Sequence, residues 1–318
     1  MKTCKKCGVV CEESKFPVAV KTLRGKVVRR GVCHDCFKKG RTKAGQGIEF
    51  DIDLDLTGWN PIVRSTSHET PELEAAEDCE RVLFIPDCHH PYVDEKKWSL
   101  MLRAAMKFKP KTIVVLGDFA DFYPVSSHSK QADRRHCLKD ELAAVHKALR
   151  QLEYLGAENN IYICGNHEDR YDRYINDRAP ELHHLVSLRD ALGLQEWTWV
   201  PYKTHFNLGK LHITHDCGNA GGDAHKKAQA TFEGNVIIGH THRIGYTVVG
   251  NAEGKPHLGA MLGWLGSIED VDYMHRIKTM RDWAHGFGIG YMMKDGTVHV
   301  IPVPIVNNSV IIEGKLVK

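Results

Sequence analysis

No stretch of this chain approaches the ~20 consecutive apolar residues that a membrane-spanning helix requires, which excludes such a helix within the sequence. The first ten residues, MKTCKKCGVV, carry charges with no long apolar stretch behind them. A secretory signal is therefore not expected, and the expected compartment is the cytoplasm. Internal repeats and low-complexity tracts are absent, so nothing suggests a repeat array. A large excess of one charge is missing too, since the formal net charge is only +3 over 318 residues. Cysteine, by contrast, is plentiful, with 10 copies. In a small secreted protein that number suggests disulfides; in a long chain without a signal, metal binding or plain burial fits better. The 42% hydrophobic and 26% charged content is that of a globular protein with enough chain for one large or two modest domains.

The small net charge hides an asymmetry. Residues 1–47 hold 13 Lys and Arg against 3 Asp and Glu. Residues 48–80 hold 10 acidic residues and one basic residue, Arg64. The remainder, 81–318, is nearly balanced. A basic head, an acidic connector and a near-neutral body form three expected pieces. The head carries Cys4 and Cys7 in CKKC, then Cys33 and Cys36 in CHDC. Two such pairs form the two knuckles of a tetrahedral zinc site. One structural Zn²⁺ would supply the stability that so short a segment cannot gain from burial. KTLRGKVVRRGVC between the pairs reads as two short strands around Arg24 and Gly25. Cys11 and His34 are spare ligands. The module resembles the zinc ribbons of nucleic-acid enzymes, and its cations suit phosphates, although no aromatic stacking series accompanies them. A solubilising or protein-docking role fits the same charges. The connector IEFDIDLDLTG reads as a solvated linker.

From Arg81 the chain alternates apolar runs with helical segments. RVLFI, TIVVL, IYIC, LHIT and NVII read as strands. DEKKWSLMLRAAMKF reads as a helix capped by Asp94, and DELAAVHKALRQLEYLG as a helix stopped by Gly156. HFNLGKLHITHD reads as a hairpin around Gly209 and Lys210, with a helix near 223–233. Turns are expected at Asp295-Gly296 and Asn307-Asn308. Strand–helix units followed by hairpins predict an α/β layered fold with two packed sheets.

Polar residues follow every one of the five strands. They are Asp87 and His89; Asp118 and Asp121; Asn166, His167 and Glu168; His215; and His240 and His242. One such ending is ordinary turn chemistry. Five in order point to one crevice at the carboxyl ends of the strands. Clustered carboxylates repel, and divalent cations relieve that repulsion. Mixed imidazole and carboxylate donors suit Mn, Fe, Zn or Ni, and the donor count exceeds the needs of one ion.

The ordered set DxH, GDxxD, GNHE, His and GHxH resembles the calcineurin-like metallophosphoesterases over roughly residues 81–305. The resemblance implies a four-layer β-sandwich flanked by helices, with two divalent metals at one edge, Mn foremost. It implies that Asp87, His89 and His242 hold the first metal, that Asp118 bridges, and that Asn166, His215 and His240 complete the second. It implies attack on phosphorus by a hydroxide bridging the metals. His167 would be the general acid, oriented by Asp121. Glu168 is not placed among the ligands or the acid; it either orients its loop or faces solvent.

The chain departs from the protein-phosphatase subgroup, which has glycine where His90 follows DxH and arginine where Phe122 follows GDxxD. Asp216 replaces a glycine common among relatives. The GHTH ending and the basic ribbon resemble the nuclease and phosphodiesterase branch, in a layout like that of bacteriophage-encoded members, which would act in host cytoplasm. Arg170, Arg173 and His90 are substrate-binding candidates, with His128 and Arg243 nearby; the two arginines fit a solvated helix face equally well. The expected partner is nucleic acid, with no membrane contact. Three readings stand: a metal-dependent nuclease, a small-molecule phosphoesterase whose ribbon docks a protein, and a non-catalytic binding protein. Segments 171–194 and 271–287 shape either the substrate groove or the packing.

Overall fold

The computed structural model of the chain describes residues 1–16, 18–21, 27–29, 32–33, 35, 79–128, 130, 136–270 and 282–318. It divides into two compact units, Met1–Glu74 and Ala75–Lys318. In the first, β1 (Lys2–Thr3) pairs antiparallel with β2 (Val10–Cys11). The hairpin expected between the cysteine pairs is present as β3 (Val18–Lys21) and β4 (Val27–Arg29). Cys4, Phe16 and Cys33 form a small buried cluster. Cys36, His34 and the connector up to residue 78 lie outside the described residues.

The second unit begins with β5 (Glu80–Ile85), α1 (Glu95–Phe108), β6 (Thr112–Val115), α2 (Leu138–Glu153), β7 (Asn159–Ile163) and α3 (Asp169–Arg178). It continues through α4 (Leu188–Leu192), β8 (Thr198–Val200), β9 (Phe206–Leu208), β10 (Leu211–Thr214), α5 (Ala224–Phe232) and β11 (Asn235–Ile238). It ends with β12 (Ile244–Gly250), β13 (Pro256–Leu262), β14 (Gly286–Met292), β15 (Val298–Pro304), β16 (Val310–Ile312) and β17 (Lys315–Val317). One sheet of six strands has the order β15-β14-β5-β6-β7-β8, and a second of five has the order β12-β13-β11-β10-β9. β5 to β8 are parallel, as are β10, β11 and β13.

Alternation along each strand builds the layers, because successive side chains point to opposite faces. Val82, Phe84, Val114, Leu116, Ile161 and Ile163 meet Ile213, Ile237, Ala260 and Leu262 of the other sheet in one buried cluster. The intervening Leu83, Ile85, Ile113, Val115 and Tyr162 join α1 and α2 in a second cluster. Val236 and Ile238 pack on Ala224 and Ala228 of α5. The result is helix, sheet, sheet, helix: the four-layer α/β sandwich expected from the sequence. α1 starts where Asp94 Oδ1 accepts from the backbone N–H of Lys96 and Lys97 at 3.0 and 3.1 Å. β12 and β13 extend the second sheet in a segment with no continuous apolar run to announce it.

Candidate metal centre

The parallel strands deliver their polar endings to one edge of the sandwich. Four of the residues there have positive φ without being glycine: His89 at 54°, Asp118 at 47°, His240 at 63° and His242 at 55°. Side chains tolerate that region poorly, and such strain clusters at functional sites. Close approach does the rest. A Cβ on Gly165 would strike the Asp118 carboxylate, and one on Gly117, at φ +93°, would strike the His215 ring.

Two donor sets result. Asp87, His89 and His242 offer ligand atoms within 4.8 Å of one another, as do Asp118, His215 and His240. His89 Nε2 lies 3.1 Å from His242 Nε2. No hydrogen bond satisfies the buried Asp87 Oδ2, although His242 Nε2 is 3.0 Å away. Asn166 joins the second set: its Oδ1 lies 3.1 Å from His215 Nε2 and 2.8 Å from His240 Nδ1. Asp118 also groups with His89 and His167, so it stands between the two sets.

Tautomers decide what these contacts mean. His215 Nδ1 faces the Leu116 carbonyl at 2.8 Å and donates to it. Neutral His215 therefore turns a lone pair at Nε2 toward Asn166 Oδ1 and toward Asp118 Oδ2, 3.3 Å away. His89 Nδ1 likewise faces Asp121 Oδ1 at 3.0 Å and turns Nε2 toward His242. Acceptors aimed at acceptors repel unless a cation or a proton sits among them. These donor sets fit two divalent cations, with imidazoles oriented by outer partners as metal ligands usually are.

The electrostatics agree. Burial alone would raise the pKa of Asp118, but the His167 and His215 charges override it and hold the carboxyl well below its ordinary range. Burial opposes protonation of His215, but Asp118 and Asp87 override it and push its pKa up to about 10. Without cations, a proton on His215 is favoured instead.

His167 sits beside this centre. Its Nδ1 is 3.0 Å from both the Oδ1 and the backbone oxygen of Asp121. Its Nε2 is 3.8 Å from Asp118 Oδ2 and 2.8 Å from an Arg170 nitrogen. Burial lowers its basicity, yet Asp118 and Asp121 raise the pKa overall. Asp121 Oδ1 thus reaches both His89 and His167.

Glu168, expected either to orient its loop or to face solvent, is fully buried and ties two strand-end loops together. Oε2 accepts from the N–H groups of Asp118 and Gly165; Oε1 accepts from those of Phe119 and Ala120 and from the Tyr162 hydroxyl. Sequence reasoning also missed Trp264, buried and stacked on His242 with ring centroids 4.9 Å apart, and Trp283, edge-on to His242 at 4.1 Å. The β12–β13 pair lies between His242 and Trp264 in sequence, and no motif marks either tryptophan.

His90 is a correction. It lies buried against Trp98 and Phe119, and burial pulls its pKa down to about 3, so it is a core residue away from any substrate surface. Arg243 spends its guanidinium on the Ala220 and Thr241 carbonyls, with Asp282 4.0 Å away. His128 is exposed on the loop after Val125. Arg173 Nε pairs with Asp169 at 3.0 Å and remains largely exposed. Residues 271–281 lie outside the described residues.

In the first unit, Cys4, Cys7 and Cys33 bring their sulfurs within 4.8 Å of one another, an arrangement that permits a zinc site. Backbone N–H groups of Cys33 and Cys7 bring the Cys4 thiol down to about 6, toward the thiolate a metal requires.

No family profile matches the chain. It is 25% identical over 269 residues to the Gene 54 protein of Mycobacterium phage L5, covering 74% of this chain and 98% of that one. It is 26% identical over 263 residues to the Gene 54 protein of Mycobacterium phage D29, covering 74% and 97%. Among solved structures, Vps29 from Entamoeba histolytica is similar at 16% identity and TM-score 0.38, covering 74% of this chain and 96% of that one. A dimetal phosphatase from Danio rerio is similar at 11% identity and TM-score 0.34, covering 71% and 99%. Likenesses this faint add nothing to the geometry above.

Proposed function

We propose that the body, residues 81–318, is a phosphodiesterase that uses two divalent cations, Mn foremost, and that its substrate is nucleic acid. The observation that carries this reading is the convergence of Asp, Asn and His side chains from five strand ends, above all Asp118, which groups with His215 and His240 on one side and with His89 and His167 on the other. Asp87, His89 and His242 would hold one ion; Asn166, His215 and His240 the other; and Asp118 both. When bound, the ions supply Lewis-acid charge to the phosphoryl oxygens and an activated water.

The chain's own groups do the rest. Asp121 accepts a hydrogen bond from His167 Nδ1–H and fixes the ring. Arg170 donates to Nε2, which is compatible only with neutral imidazole at that atom. A substrate phosphate is a stronger acceptor than an imidazole nitrogen and draws the guanidinium away. Nε2 is then free to carry a proton, with the ring held by Asp121 at Nδ1, and a leaving alkoxide can receive it. The basic head supports the polynucleotide choice, since its cations would neutralise phosphates and its cysteines, Cys36 included, would hold structural zinc.

The test is hydrolysis by the full chain with Mn²⁺ of an aryl phosphodiester, an aryl monoester, and labelled single- and double-stranded DNA and RNA. Diester turnover above monoester turnover, with polynucleotide cleavage, is expected. Small-ester turnover without polynucleotide cleavage would overturn the nucleic-acid reading. No turnover by fully metallated protein would overturn the enzyme itself.

A further inference from the structure

Helix α3 places Arg170, Arg173, Tyr174, Asp177 and Arg178 at i, i+3, i+4, i+7 and i+8, the spacing of one helix face. The core takes the other side, through buried Tyr171 and partly buried Ile175. A polar face usually meets bulk water. This one forms a wall of a cavity of about 190 Å³ that Val125, Ser126, Ser127 and Lys130 also line. Four cations line it, Lys130, Arg170, Arg173 and Arg178, against the single carboxylate of Asp177. Asp169 holds Arg173 from outside the cavity, and Lys130 Nζ donates to the Pro124 carbonyl. Tyr174 is 43% exposed, leaving room for a flat group to lie on its ring.

Size narrows the occupant. The cavity is smaller than the ~300 Å³ at which pockets begin to enclose a whole small molecule, so it suits one unit of a longer substrate. Position narrows it further. Arg170 lines the cavity and also touches His167 Nε2 at 2.8 Å, so the cavity adjoins the centre. Cations beside an exposed aromatic ring suit a phosphate with an unpaired base attached.

We infer that this cavity is a subsite for the nucleotide next to the scissile phosphodiester of a single strand, with Lys130, Arg173 and Arg178 around its phosphate and Tyr174 under its base. The inference rests on the phosphodiesterase reading of the centre. Its experiment is a fluorescence-anisotropy titration of labelled oligothymidylate against the full chain without added metal, across a range of salt. Combined Lys130→Ala and Arg178→Ala should weaken binding at least tenfold at low salt and lower the salt slope by ~1.4, at ~0.7 for each phosphate charge that is no longer neutralised. Tyr174→Ala should weaken it about tenfold, and Tyr174→Phe should restore it. Affinity and slope unchanged in the Lys130/Arg178 pair, or no loss in Tyr174→Ala, would overturn the subsite. Absent hydrolysis alongside these binding losses would sink the phosphodiesterase reading alone; intact hydrolysis with unchanged binding would sink the subsite alone.

Discussion

Glu168 accepts five hydrogen bonds at a site sealed from water, four of them from backbone N–H groups of two loops. Glu168→Gln keeps the shape but turns one oxygen into a donor facing donors. Each buried donor left unpaired costs ~1–3 kcal/mol, so the variant should lose ~2–4 kcal/mol. A lower urea midpoint at unchanged m-value would register it, and an unmoved midpoint would contradict the hub. At His167 the expectation is kinetic. His167→Ala should lower kcat by ~10²–10⁴-fold, most for poor leaving groups, with both metals retained. Loss of a metal would instead make His167 a ligand. The ligand-type residues were legible in the sequence because each follows an apolar strand. The partners of Glu168 were not, because Asp118 and Glu168 meet only once β6 and β7 pair. His90 misled for a similar reason. It adjoins His89, but the left-handed turn at His89 sends the two side chains to different surroundings.

Elements whose signals are local were readable in advance. β5, β6 and β7 carry their buried alternation in a few residues, and α1 announces its start with Asp94. Asp94→Ala should cost about 1 kcal/mol, read by thermal or urea unfolding, without touching activity. Gly165→Ala should behave in the opposite way, because a methyl group there must displace the Asp118 carboxylate; metal binding should fall far more than stability. Equal metal content in Gly165→Ala and the parent would contradict that placement. β12 and β13 escaped notice because polar and glycine residues interrupt their apolar pattern, while β13 finds its partner in β11 and β12 finds its own in β13. Arg170 and Arg173 of α3 had two equal readings in sequence, solvated face or substrate contact, and the proposed subsite takes the second because both line the cavity beside the helix.

Across the whole molecule, charge organises the account. The head should set salt dependence: deleting residues 1–47 should weaken polynucleotide binding and flatten its salt slope, while an unchanged slope would leave the head a docking knob. The metal centre should be linked to protons. Because the pKa of metal-free His215 is pushed up to about 10, the residue is protonated at neutral pH and must lose that proton to bind an ion. Metal affinity should therefore rise with pH through the neutral range. Calorimetry in buffers of different ionisation enthalpy would show the proton released; heats independent of buffer would contradict it. The most direct measurement is anomalous diffraction from crystals of the full chain grown with Mn²⁺. Two neighbouring peaks are expected, one held by Asp87, His89 and His242, the other by Asn166, His215 and His240, with Asp118 touching both. A single peak, or manganese held by other residues, would contradict this arrangement.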